Sequence, residues 1–258
     1  MKNLFTILLA IFTAIVLLIV IYYYFSSRGN PNALWEIVSQ KCVPDQEKSQ
    51  NPAPCLKVDL TQKYVLFKDA KGPLHDLVMP TYHVTGIESP ELEKNDVPPF
   101  FALAWNERSR LSAELGKPID DAYLALAVNS EHSRSQNQLH IHLACLRPDV
   151  YRTLETEEPN IRSAWAPLKS KINGHEYLAV RLKSGDLTKE DPFKLLNIYA
   201  SGQEDEIGNY GLAVAASKDG GMVLLANRFN PVQLAFGSAG EIQDYSCELA
   251  NKGAASAE

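Results

Sequence analysis

Residues 135–147, Ser-Gln-Asn-Gln-Leu-His-Ile-His-Leu-Ala-Cys-Leu-Arg, alternate between apolar and polar side chains. In an extended segment successive side chains point to opposite faces. Leu139, Ile141, Leu143 and Cys145 then share one face, while Gln138, His140 and His142 share the other. No other stretch constrains the fold as much. One face has to be closed by an apolar layer, and the other presents two imidazoles about 6.8 Å apart along the strand. Asp120 to Asn129 reads as the neighbouring strand, with a polar turn between the two. A surface strand with incidental histidines is the plainer alternative. Asn129, Ser135 and Gln138 weigh against it, because they add hydrogen-bonding groups where the imidazoles point.

Composition sets the class. At 258 residues, 45% apolar and 22% charged, the chain is long enough for one large domain or two small ones with a real core. The net charge is −6, and no basic block is present. That speaks against nucleic acid as a partner, since duplex binding depends on Lys and Arg neutralising phosphates. Any phosphate handling has to be local.

Leu4 to Phe25 is a run of 22 residues without a charge. As a helix it measures about 33 Å, enough for a bilayer core. Tyr22, Tyr23 and Tyr24 end it where interfacial aromatics belong. A cleaved signal peptide has a shorter apolar region and a small-x-small site, so the run is read as a retained single transmembrane helix. Lys2 precedes it and Arg28 and Lys41 follow, so charge bias does not orient it. The four cysteines, Cys42, Cys55, Cys145 and Cys247, contain no Cys-x-x-Cys pair of the kind structural zinc uses. Cys42 and Cys55 bracket a Pro- and Gln-rich loop that a bridge would restrain, and Cys247 is a partner for Cys145. Disulfides imply an oxidising compartment. With the apolar run they point to an inner-membrane protein whose folded domain is periplasmic. Four buried thiols facing the cytosol are the alternative.

Along the chain, Asn32 to Cys42 reads as a short amphipathic helix. Tyr64 to Lys68 and His75 to Pro80 read as a hairpin punctuated by Gly72-Pro73. Pro98 to Leu115 reads as the best helix, capped by Asp96 and ended by Gly116 and Pro118. It covers one face of the sheet and leaves the histidine face open. After Arg147 the pattern repeats loosely. Helical fragments span 149–157 and 160–165, a strand spans 177–182 and a helix 191–199. A hairpin of 210–216 and 222–227 turns at Lys218-Asp-Gly-Gly221. His75, His83 and His175 fit structural roles as well as functional ones. The predicted organisation is an anchor over 1–30, a domain over 31–250 and a disordered tail over 251–258. The halves of the domain are 60–150, with the histidine strand, and 151–250, with extra strands and helices.

The histidine strand resembles that of the histidine-triad superfamily, whose pattern is His-φ-His-φ-His. Asn129 at the end of the preceding strand and Ser135 five residues before His140 match further positions of that superfamily. Gln138 stands at the first histidine position. Several passages are similar to the bacterial CDP-diacylglycerol pyrophosphatase family: the N-terminal apolar run, Asn51-Pro-Ala-Pro-Cys55, Gly72-Pro-Leu74, Met79-Pro-Thr-Tyr82, Glu88-Ser-Pro90, Gln136-Asn137 with Arg147-Pro-Asp149, and Gly174-His-Glu-Tyr-Leu178. The resemblance covers nearly the whole chain. It implies an α+β fold, a HIT-like antiparallel sheet with flanking helices preceded by the transmembrane helix. It implies CDP-diacylglycerol and the lipid bilayer as partners, no cofactor, and a homodimer as in many triad proteins. It also implies that His140 is the nucleophile.

Near neutral pH an uncharged imidazole is a competent nucleophile, because its ordinary pKa is about 6.5. His140 would attack the phosphorus of a pyrophosphate and form a nucleotidyl-histidine that water hydrolyses. His142 would donate to a non-bridging oxygen, Ser135 to the leaving oxygen, and Asn129 would hold the other nitrogen of His140. Gln136 and Gln138 are placed at the substrate. The expected reaction splits CDP-diacylglycerol into CMP and phosphatidate, with cytosine specified by the resemblance alone. Three alternatives stay open: transfer of the nucleotidyl group to an acceptor other than water, a non-catalytic lipid- or nucleotide-binding module, and a zinc site completed by His132.

Overall fold

The alternating segments of the chain pair edge to edge into one sheet. The computed structural model describes residues 11–18 and 29–253. Its strands are β1 (Lys57–Asp59), β2 (Tyr64–Lys68), β3 (His75–Pro80), β4 (Leu124–Val128), β5 (Ile141–Leu146) and β6 (Ala166–Pro167). They continue with β7 (Leu178–Arg181), β8 (Tyr210–Ala216), β9 (Met222–Asn230), β10 (Ala235–Phe236) and β11 (Gln243–Asp244). The order across the 11-stranded sheet is β1-β2-β3-β5-β4-β8-β9-β7-β6, with β10 added to β9 and β11 to β5. The pairings are antiparallel, as short connections between successive strands favour.

The helices are short. α1 (Ala33–Ile37) and α2 (Val43–Ser49) are joined by a π-helical turn, Val38–Cys42. The predicted helix from Pro98 is two pieces, α3 (Phe100–Asn106) and α4 (Ser109–Leu115). At the break, Arg108 folds back and donates to the Trp105 carbonyl, an end carbonyl of α3, while its Nε reaches Asp121. Asp96 does not cap α3, whose N-cap is Pro99 without a side-chain hydrogen bond. α5 (Pro148–Glu157), α6 (Pro192–Gly202) and α7 (Glu248–Gly253) follow. Asp191 caps α6 by accepting from the amides of Phe193 and Lys194. The segment after 160 is not helical beyond a 3₁₀ turn, Glu158–Asn160.

Strand alternation sorts the core into layers. Leu66, Val78, Leu126, Ile141, Leu143, Val214 and Leu224 point to one face, where Phe100, Phe101 and Leu111 of α3 and α4 and Phe193 and Leu196 of α6 cover them. The opposite face is rich in small residues. Ala125, Ala127, Ala213 and Ala215 sit under Val150 of α5 and under Ala239 and Ile242 of the C-terminal segment. At the β2–β3 end the same face is closed by Val38 and Cys42, which pack on Val65, Leu77 and Met79. Disulfides join Cys42 to Cys55 and Cys145 to Cys247.

Read outward from β4 and β8, the two halves mirror each other. β5, β3 and β2 lie on one side, and β9, β7 and β6 on the other. In each half a hairpin strand precedes a helix on the same face, then two central strands. One lateral row shows the near-twofold relation: Leu77, His142, Ala127, Ala213, Leu225, Ala179. Leu126-Ala-Val128 and Leu212-Ala-Val214 occupy matching places. The second half carries Leu225 where the first carries His142.

The fold class expected from sequence is corrected. A broad antiparallel sheet of 11 strands dominates, with few helices, rather than a HIT-like α+β domain behind a transmembrane helix. Among the described residues no helix is long and apolar enough to cross a membrane. Of the run Leu4 to Phe25 only residues 11–18 are described; they are helical and measure about 12 Å. The rest of that run lies outside the described residues, so a single-pass inner-membrane placement is not supported. The predicted tail begins inside α7, and residues 254–258 lie outside the described residues.

The C-terminal segment sits close on the sheet at Gly211 of β8. An added Cβ there would collide with the Gly237 carbonyl oxygen and stand 2.8 Å from the Ala239 nitrogen. Gly211→Ala is therefore expected to destabilise the protein by about 1–3 kcal/mol, as an overpacked core does. A thermal midpoint equal to the parent's would show that segment 237–239 yields freely.

Candidate active site

β5 begins one residue after His140, and its register sets the site. His142 pairs with Leu77 of β3 and His75 with Ala144 of β5, so His75 and His142 are diagonal neighbours on one face. Their rings stack at 5.0 Å, and His75 Nε2 lies 2.8 Å from His142 Nδ1. His140 meets His142 edge-on with centroids 4.8 Å apart. All three are buried: His75 is fully inaccessible, His142 is 3% exposed and His140 8%. The histidine face is thus roofed, contrary to the expectation of an open face. Tyr245 is stacked on His75 at 3.8 Å with rings 5° from parallel, and the Leu74 amide donates to the Tyr245 carbonyl.

His140 Nδ1 lies 2.6 Å from the Gln138 main-chain carbonyl. A carbonyl only accepts, so Nδ1 carries the hydrogen and the neutral ring keeps its lone pair on Nε2. That nitrogen has no protein partner among the described residues. Gln138 itself is fully buried, donating to the carbonyls of Pro80 and Tyr82 and accepting from the Val84 amide. Its side chain is part of the scaffold. The contact to His140 comes from its backbone, which does not depend on the side chain at 138.

Burial governs the charge of the trio. It pushes His75 down to about 4, against the pull of Asp69, whose carboxylate is 3.6 Å from Nδ1. Burial also lowers His140, opposed by the Gln138 carbonyl, and lowers His142 well below the ordinary imidazole value, helped by the two neighbouring histidines. The rings are neutral at pH 7. The unfolded chain protonates His75 near pH 6.5 and the folded chain near 4, so the stabilisation from His75 is complete above pH 6.5 and is lost as pH falls toward 4. The urea midpoint is expected to drop across that interval, and His75→Phe to flatten the drop. Identical slopes in the two proteins would refute the assignment.

The remaining predicted residues are placed as follows. Asn129 is close by, but its Oδ1 accepts from the Gly240 amide at 3.0 Å and the Ser238 hydroxyl at 3.5 Å, fixing the C-terminal segment rather than His140. Ser135 is exposed and makes no side-chain hydrogen bond among the described residues. Gln136 clips the N-terminal segment, accepting from the Leu34 amide and donating to the Asn30 carbonyl. His132 stacks on Phe229 at 4.0 Å and pairs with Asn209, so it does not join His140 and His142. Among the described residues no group of three His, Cys, Asp or Glu side chains is arranged to hold a metal ion. His83 bonds the Asn137 carbonyl from an exposed loop. His175 belongs to a separate cluster, where it and Tyr177, Asn173 and Asn227 all bond Glu241.

Sequence reasoning missed His75, Asp69 and Tyr245 as members of the site. The hairpin strand ending at Pro80 was a signal for His75, whereas nothing local marks Tyr245.

Neutral imidazoles with an open ring nitrogen, buried from water, suit attack on phosphorus, and the chain is a hydrolase of phosphorus-containing acid anhydrides. A family model described as CDP-diacylglycerol pyrophosphatase matches residues 29–251. The chain belongs to the CDP-diacylglycerol pyrophosphatase family, and its substrate is CDP-diacylglycerol.

Proposed function

We propose that this chain splits CDP-diacylglycerol into CMP and phosphatidate through a cytidylyl intermediate on His140. The observation that carries this reading is the hydrogen bond from His140 Nδ1 to the Gln138 carbonyl, which leaves Nε2 as the attacking nitrogen. Nε2 forms a bond to the cytidylyl phosphorus, and the bond from that phosphorus to the bridging oxygen breaks, releasing phosphatidate. Water then attacks the same phosphorus, the N–P bond breaks and CMP leaves. The chain Asp69, His75, His142 serves the second step. Asp69 favours the hydrogen on His75 Nδ1, so His75 Nε2 accepts from His142 Nδ1–H. His142 Nε2, buried and without a hydrogen-bond partner, is then the base that takes the proton of the attacking water.

The test is a rapid acid-free quench of the detergent-solubilised protein during turnover of substrate labelled in the cytidylyl phosphate. Label on the protein, stable in base and lost in acid, is expected, with CMP release unaffected by EDTA. Adducts of CMP with an added alcohol in place of free CMP would mark a transferase, loss of turnover in EDTA a metal enzyme, and binding without turnover a non-catalytic module.

A further inference from the structure

The hairpin that closes the sheet beyond β9 is built unlike a solvent loop. β8 pairs with β9 only as far as Arg228, so Phe229 and Asn230 run past its end and pair with Phe236 and Ala235 alone. The tip is exposed and apolar: Val232 is 92% exposed, Leu234 70% and Phe236 47%. Single exposed apolar residues are ordinary; three alternate positions on one projecting turn are not. Leu234 also takes a left-handed backbone, φ 55°, which bulky L-residues rarely adopt. No residue from Phe229 to Phe236 is charged. The turn satisfies its own amides: Asn230 Oδ1 accepts from Val232 and Gln233, and the Pro231 carbonyl accepts from Leu234. Internal satisfaction of amides and absence of charge are what a segment needs to leave water for hydrocarbon.

The hairpin also leads into the site. The Phe236 and Gly237 carbonyls accept from Ser130, through its hydroxyl and its amide respectively, and the Gly240 amide bonds Asn129. Two residues past Gly240, Ile242 packs over Ala125 and Ala127, the alanines that flank the histidines. The substrate keeps its acyl chains in a bilayer and its pyrophosphate at the surface, so the histidine face has to meet that surface.

We propose that the 229–236 hairpin is a lipid-engaging finger that dips Val232, Leu234 and Phe236 into the bilayer holding the substrate. This rests on the lipid-linked substrate of the reaction proposed above.

The test uses the full chain with Val232→Cys labelled by an environment-sensitive fluorophore. The native cysteines are all in disulfides, so the label enters at one place. On phosphatidylcholine vesicles doped with CDP-diacylglycerol, the emission is expected to shift to the blue. The unlabelled Val232→Asp/Leu234→Asp protein is expected to lose about tenfold in hydrolysis of the vesicle-borne substrate, as interfacial binding scales with buried apolar area. Its rate on a short-chain, water-soluble CDP-diacylglycerol should equal the parent's. Water-like emission during vesicle turnover, or equal rates of parent and variant on both substrates, overturns the finger. A shift that grows with protein concentration without vesicles assigns the surface to a second copy of the chain and also overturns it. A blue shift on vesicles with no CMP from either substrate would uphold the finger while defeating the reaction.

Discussion

His140→Asn is expected to lower CMP release by about a thousandfold or more, the scale of losing a covalent nucleophile. The asparagine amide can still donate toward the Gln138 carbonyl, and the site is 8% exposed, so the fold should survive. Circular dichroism and thermal midpoint check that. The quenched protein should carry no cytidylyl label. His142→Asn is the instructive contrast. It keeps the nucleophile but removes the base for the second step, so label should accumulate while CMP release slows. A His140→Asn protein that still turned over at a tenth of the parent rate would move the nucleophile elsewhere, and His142, with its orphan Nε2, would be next in line. The pH profile gives a further check. Burial holds His140 below the ordinary imidazole value, so the acid limb of kcat/KM should lie below pH 6.5.

Removal of the Cys145–Cys247 bridge is expected to have the largest effect on stability. It closes a loop of 102 residues, worth about 4–5 kcal/mol in the chain-entropy model. For a domain of this size, that corresponds to a thermal midpoint about 10–20 °C lower in Cys145→Ala/Cys247→Ala. Activity should fall with it, because the bridge fastens the segment that roofs the histidines. Gln243 donates to the carbonyls of Ala125 and His142, and Tyr245 lies flat on His75. The parent treated with a reductant should approach the variant in both respects. A midpoint lowered by no more than the small cavity at Cys145 explains would show that the loop closure contributes little.

The strands were the most legible part of the chain. Tyr64–Lys68, His75–Pro80 and Tyr210–Ala216 begin and end where alternation and turn residues place them. Helix breaks were harder to see, since nothing between Phe100 and Leu115 is a breaker; at the interruption Arg108 reaches Asp121, a tertiary contact. The His140 and His142 pair was visible as alternation. Its third member was not, because His75 meets His142 across 67 residues of sequence, through a register only the folded sheet defines. The same reason hid the roof. Segment 239–247 carries no local pattern that marks it, yet it covers the histidine face through a β11 pairing to Leu146 and Cys145. Gln136 and Gln138 were assigned to the substrate from their position beside the histidines, and the backbone had claimed both amides first.

The row Leu77, His142, Ala127, Ala213, Leu225, Ala179 has a bearing on redesign. The near-twofold relation sets the second half's strands where the first half's histidines have counterparts. The second half, with Val223 and Leu225 at the matching places, packs them beneath Val150 of α5. Planting histidines at those two positions and trimming α5 would ask whether the second half can be given the same polar face.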